Sequence, residues 1–266
     1  MQDQQPTDKQ DALELETRAK WETLRPSYNA WAAESGEPLS EFDNIVDGQV
    51  ELARVTYQKE RAARELEPYS ALWDRITTEE ATSLQELLND NPDEAALHVF
   101  LDANLKFLIQ VLGSGHGRYQ LSKKRLGAEF VPDFLVAAMS SIDIEWHAVE
   151  IESPRASADR RDGLPAEALN HAIAQIRDWR KWLMDNIDYA RRPREQNGLG
   201  LVGIDSRVPG LILIGRRHAY PERFNEFRRQ MIDQERIVIH SYDWLVDVAI
   251  SNQSGWLNGE LRTLDE

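Results

Sequence analysis

The sequence predicts an α/β fold in which a mixed sheet is flanked by helices on both faces and preceded by an α-helical N-terminal region. Three observations predict it. Apolar residues recur near helical spacing through about residue 90. Three successive strand-like runs follow, "GRYQLSKKRL", "EFVPDFLVAAM" and "DIEWHAVEIE". Helices and strands then alternate to the end of the chain, the pattern of crossover connections in a sheet with parallel members.

The elements can be taken in order. Residues 1–10 are polar and aperiodic and are expected to be disordered. Leu13, Trp21, Leu24, Tyr28 and Trp31, then Val46, Val50, Ala53, Tyr57 and Ala62, then Leu66, Tyr69 and Trp73 mark helices, with "ESGEPLS" (34–40) as a break. "NPDEAALHVFLDANLKFLIQVLG" reads as one helix capped by Asn91, with Pro92 at its first position and Gly113 at its end. Glu94 then falls at the third helical position, a capping-box-like arrangement. After the three strands, "GLPAEALNHAIAQIRDWRKWLMDN" is a long amphipathic helix. "LILIG" is a short, continuously apolar and therefore central strand. "PERFNEFRRQMI", "RIVIHSY" and "DWLVDVAI" are a helix, a strand and a last helix. The organisation expected is a helical regulatory or oligomerisation region over 1–90 and a catalytic domain over 91–266.

Composition narrows the function. The 266 residues contain no Cys, which excludes disulfides and thiolate metal sites. The N-terminus has no apolar signal core and no apolar run approaches 18 residues, so a soluble cytoplasmic protein without a membrane partner is expected. The net charge is −15, unevenly spread: residues 1–100 hold 9 Lys and Arg against 22 Asp and Glu, a net −13, whereas 101–266 hold 22 against 24, a net −2. The second part has local clusters, "SKKR", "PRASADRR", "RRPR" and "GRRH", which can build a positive field or simply stay solvated.

The chemistry centres on "HAVEIESP". Glu150 and Glu152, two apart on a strand, share one face about 7 Å apart. Placing the hairpin turn in "MSSID", centred between Ser141 and Ile142, sets Ala137 against Trp146 and Leu135 against Ala148. Asp133 then faces Glu150, with Cβ atoms roughly 5 Å apart. Three carboxylates at one hairpin end form a hard-oxygen site suited to Mg²⁺ or Mn²⁺. Such a site favours phosphodiester hydrolysis. The competing reading is an exposed hairpin end with scattered acids. "GSGHG" lacks the Gly-Lys-Ser/Thr end of a phosphate loop, and no Gly-x-Ser-x-Gly is present.

"VPDFLV", 17 residues from Asp133 to Glu150, and "HAVEIESP" resemble the PD-(D/E)XK nuclease superfamily, with its restriction-endonuclease-like fold. Together with "NPDEAALHVFLDAN", "ALNHAIAQIRDWRKWL", "LILIGRR" and "IHSYDWL" they are similar to the C-terminal nuclease domain of the Shedu (SduA) anti-phage defence proteins. The resemblance implies a Mg²⁺- or Mn²⁺-dependent endonuclease acting on DNA. Asp133, Glu150 and the carbonyl of Ile151 would be metal ligands, Gln175 would stand beside the site in a Gln-x-x-x-aromatic pair with Trp179, and Glu94 would be the acidic residue of the first helix. Gln175 can also be a polar residue at a helix–sheet boundary, and Trp179 plain core.

One position departs from the superfamily pattern: Glu152 occupies the place of the usual lysine. A glutamate cannot supply positive charge, but it can act as a base or as a further metal ligand. Arg118, Lys123, Lys124, Arg125, Arg155, Arg160 and Arg161 are candidate contacts to the nucleic-acid backbone. His116 is read as a loop residue, His147 as pointing away from Glu150, and His171 as bordering the site. A homo-oligomer built through the N-terminal helices is expected. The rival readings are a nuclease-fold sensor that binds without cutting, a glycosidase with paired carboxylates, and an interaction protein whose acids are decoration.

Overall fold

The computed structural model describes residues 9–71, 76–110, 117–140, 143–160 and 164–251. The chain divides into two compact units between Arg64 and Glu65. The expectations for residues 1–8, for Trp73, for Gly113, for His116, for Arg161 and for the Ser141–Ile142 turn centre lie outside the described residues, whereas Lys9 and Gln10, expected to be disordered, begin a helix.

The first unit is helical: α1 (Lys9–Glu22), α2 (Arg25–Ser35) and most of α3 (Glu41–Leu66). α2 ends at Gly36, whose φ of 81° is the left-handed conformation that glycine adopts at little cost. Phe42, Val46 and Val50 form the unit's small core, with Trp21 and Tyr28 packed against it. The Arg25 guanidinium lies 4.5 Å over the Phe42 ring and pairs with Glu22 and Asp43. Leu15, Leu24, Trp31, Leu39 and Leu52 remain exposed.

The second unit contains α4 (Thr78–Asn89), α5 (Glu94–Ala103), α6 (Lys106–Ile109), β1 (Gly117–Ser122), β2 (Phe134–Met139), β3 (Ile144–Ile151), α7 (Glu167–Asp185), α8 (Ile187–Arg191), β4 (Gly210–Leu213), α9 (Phe224–Glu235) and β5 (Ile237–His240). Residues 242–251 are helical as well. The sheet runs β1-β2-β3-β4-β5. β1, β2 and β3 pair antiparallel, and β3, β4 and β5 pair parallel. This is the mixed sheet expected, and the β2–β3 register is also the one expected, with Leu135 opposite Ala148 and Ala137 opposite Trp146.

Alternation sorts the strand residues onto two faces. Phe134, Val136, Val149, Ile151, Leu211 and Leu213 join Leu84, Leu88, Leu97, Leu101 and Phe107 from α4–α6, together with Tyr242 and Leu245, in one core cluster. The opposite face meets α7, whose buried Leu169, Ala172, Ile173, Ile176, Trp179 and Leu183 recur at three and four residues. Gly210 permits the close approach: a Cβ there would lie 2.8 Å from Ile176 Cδ1. Because both faces are covered, β2 and β4 are apolar throughout rather than alternating.

Two further expectations are corrected. The helix foreseen from Asn91 to Gly113 is broken at Asn104, which leaves helical geometry as the C-cap of α5 while its backbone N–H and its side chain both donate to the Phe100 carbonyl, at 2.9 and 2.8 Å. Asn91 is not the cap. It takes a left-handed φ of 53° after α4, and Asp93 caps α5 by accepting the Ala96 N–H at 2.8 Å. Glu94 is therefore the first residue of α5, not the third, and has no capping duty.

Candidate active site

The C-terminal ends of β3, β4 and β5 lie at one edge of the sheet, the edge where open α/β sheets bind ligands. Asp133 immediately precedes β2, Glu150 is the penultimate residue of β3, and Glu152 immediately follows it. Asp133 and Glu150 are both 6% exposed.

Asp133 is held from several directions. Its Oδ2 accepts the Ile151 N–H at 3.1 Å, and its carbonyl accepts the Lys123 N–H at 2.9 Å. Its Oδ1 takes the Lys123 ammonium at 2.5 Å and lies 3.9 Å from His98 Nε2. His98 is oriented by stacking on Phe134, ring centroids 4.6 Å apart. Glu94 sits one helical turn before His98 on α5. Partial burial, and then the Asp133 charge, push its carboxyl above the usual range.

Glu150 projects from β3 toward α7, on the face that Ala148 shares with Gly210. Its carboxyl is pushed up to about 9, first by burial and then by the negative charges of Asp133 and Glu152. Glu152 is fixed through its backbone: its N–H donates to the Leu213 carbonyl at 2.8 Å, and its carbonyl accepts the hydroxyl of the fully buried Tyr242 at 2.8 Å. Its side chain meets His171 Nδ1 at 3.5 Å. Burial and the Glu94 charge raise its carboxyl, against the pull of His171. Burial and the neighbouring Lys123 lower His98, favouring neutral imidazole.

Three buried polar atoms find no hydrogen-bond partner in the protein among the described residues around this edge: Glu150 Oε2, Gln175 Oε1 and His98 Nε2. Unpaired buried groups are costly, of order 1–3 kcal/mol each, so a cluster of them points to something from outside the chain. Four carboxylates face one ammonium and two imidazoles, and the donors are hard oxygens. Both features fit a divalent cation of the Mg²⁺ or Mn²⁺ kind. Among the described residues, no three His, Asp or Glu side chains are already gathered to hold one. Asp133 instead has Lys123 as its cation.

The other anticipated residues are placed as follows. Ile151 is the last residue of β3, beside Leu213. Gln175 lies one turn after His171 on α7, and Trp179, a further turn on, is buried as core. Lys123 is at the site. Arg118, opposite Ala138, lies near the start of β1, at the other end of the strand from Lys123. Lys124 lies over the Tyr69 ring at 5.9 Å, which Arg194 also approaches at 5.6 Å, so it is engaged elsewhere. Arg155 donates Nε and Nη2 to the Asn91 carbonyl, which ties the loop after β3 to the turn before α5. Arg125 and Arg160 are exposed.

Sequence reasoning missed His98, although Glu94 and His98 stand four apart and therefore on one helix face. It also missed the pairing of Lys123 with Asp133, which extending the β1–β2 register by one residue beyond Ser122–Phe134 would have found. Tyr242 left no sequence signal as a support for Glu152. Among the described residues, no helix is long and apolar enough to cross a membrane. No curated protein matches the chain. The family model described as Shedu protein SduA, C-terminal, matches residues 91–246, and the chain belongs to that family.

Proposed function

We propose that the second unit is a metal-dependent endonuclease of the PD-(D/E)XK type, restriction-endonuclease-like in fold, that hydrolyses DNA phosphodiester bonds in anti-phage defence. The observation that carries this reading is the buried pair Asp133 and Glu150, juxtaposed where β2 and β3 meet, with Glu150 Oε2 unpartnered among the described residues. Family membership supports the defence context.

Asp133, Glu150, Glu152 and the Ile151 carbonyl would hold Mg²⁺ or Mn²⁺. When bound, the ion would supply Lewis acidity and positive charge at the phosphate. The chain supplies the rest. The Ile151 N–H orients Asp133. Glu152, with its raised carboxyl and its His171 partner, is the group able to take a proton from an attacking water and pass it toward solvent. Gln175, one turn after His171 on α7, offers a buried, unpartnered carbonyl oxygen to which a water or a hydroxyl could donate. Arg125, Arg155 and Arg160 would track the DNA backbone, contacts that weaken with salt. We assign residues 9–64 to regulation or self-association, a reading supported by the large apolar side chains left exposed there.

The test is incubation of plasmid DNA with Mg²⁺ or Mn²⁺. Cleavage by the wild-type chain that disappears in Asp133→Ala is the expected result. A second reading rests on Glu152 standing in the usual lysine position: a nuclease-fold sensor that binds DNA without cutting. Binding without cleavage at every metal concentration would favour it.

A further inference from the structure

The Lys123 ammonium stands where a positive charge is needed and where nothing in the PD-(D/E)XK pattern places one. We propose that Lys123 is a mobile counter-charge that neutralises Asp133 in the free protein and moves to the scissile phosphate when a divalent cation occupies the site. The inference rests on the nuclease reading and deepens it.

Several features single out Lys123 among the basic residues near the site. It sits at the end of β1 with a left-handed φ of 48°, a conformation that a non-glycine residue holds only when its surroundings impose it. What imposes it here is on both sides of the residue. The Lys123 N–H donates to the Asp133 carbonyl at 2.9 Å, and the side chain returns to the carboxylate of the same residue. The partners are unequal in burial: the Asp133 side chain is 9% exposed and the Lys123 side chain 54%. The carboxylate is fixed by the Ile151 N–H, whereas the lysine reaches it along a stem that is more than half exposed to solvent. Lys124, next in sequence, lies over Tyr69 and cannot replace it.

The electrostatics set the direction of exchange. A cation and an ammonium compete for the same Asp133 oxygens, so occupancy of one expels the other. The expelled ammonium stays on a short tether beside the site, and a phosphodiester is the strongest negative partner that a nucleic acid would bring there. The charge denied by Glu152 at the motif position would then come from the residue that follows β1, two strands away in the sheet.

The experiment measures Mn²⁺ binding by calorimetry and plasmid cleavage at saturating Mn²⁺, for the wild-type chain, Lys123→Met, Lys123→Gln and Lys123→Arg. Removal of the competitor is expected to tighten Mn²⁺ binding about tenfold in both neutral variants, the effect of roughly one unit of differential charge interaction. Cleavage at saturating Mn²⁺ should fall about 10²-fold, as when one donor to a developing oxyanion is lost. Lys123→Arg should return affinity to the wild-type value and restore part of the cleavage. Unchanged or weaker Mn²⁺ binding in the neutral variants overturns the exchange, as does full cleavage by them. Should the wild-type chain neither bind Mn²⁺ nor cut, the nuclease reading itself falls and this inference with it. Should the wild type do both and the neutral variants match it, only the inference falls.

Discussion

The helical first unit and the sheet edge of the second handle charge in opposite ways. Around Arg25, Glu22 and Asp43 meet the guanidinium at the surface, and the Arg25 hydrogen bond draws the Glu22 carboxyl below its usual range. Around Asp133, the carboxyls of Glu94, Glu150 and Glu152 all move above theirs. Both regions are rich in acids, but only in the second does burial outrun compensation. A surface ion pair is worth little, and a fold can gain or lose it cheaply. A buried excess of carboxylates is a standing cost, which a fold retains when an outside cation or substrate repays it.

The largest effect of a single substitution should come from Asp133. In Asp133→Ala, DNA cleavage is expected to fall by about 10³-fold or more, since the fixed pivot between the Ile151 N–H and any bound cation is lost. Gel assays with folding checked by circular dichroism read this, and cleavage at the wild-type rate would end the proposal.

Glu150→Gln should remove metal-dependent cleavage and also stabilise the metal-free protein at pH 8, by about 1–3 kcal/mol, because a buried carboxyl kept from ionising is replaced by a neutral isostere. The sign of the pH dependence follows. With the folded value raised to about 9, the native state binds more protons than the unfolded chain between the ordinary glutamate range and pH 9. Stability of the metal-free wild type therefore falls as pH rises through that window. Urea melts at pH 5.5 and pH 8.5 should show the loss in wild type and a smaller one in Glu150→Gln. Added Mg²⁺ should reverse it in wild type only.

Glu152→Gln keeps size and removes the proton acceptor. About a 10²-fold loss of cleavage is expected, with Mn²⁺ affinity, measured by calorimetry, lowered less than in Glu150→Gln. Retained cleavage would move the base elsewhere. At the small end, Arg25→Ala should leave cleavage unchanged, and its effect on the melting temperature should shrink as salt is added. A cleavage defect there would show that the first unit regulates the site through this pair.

Much of the second unit could be read in advance, for reasons that particular residues make plain. The β2–β3 register followed from the symmetry of a short hairpin, and a period of two leaves a strand only one face for Asp133 to share with Glu150. α7 could be read from its three- and four-residue apolar spacing. The break at Asn104 could not, because that side chain chooses between solvent and the Phe100 carbonyl according to what surrounds it. The cap of α5 was misplaced because Asn91 and Asp93 are both good caps, and only the left-handed turn at Asn91 decides between them. For Lys124 and Arg155 the sequence shows the charge but not the Tyr69 ring or the Asn91 carbonyl that each meets in the folded chain.

By itself, then, the sequence determined the mixed sheet, its hairpin register and the meeting of two acids at one edge, because local periodicity and short connections suffice for those. Tertiary structure alone decided which charges gather around that edge. Lys123, His98 and His171 come from β1, α5 and α7, and only packing brings them to Asp133 and Glu152. It also decided that Glu150 is buried with its Oε2 unpartnered among the described residues, since desolvation depends on every layer that covers a side chain and not on its neighbours in the chain.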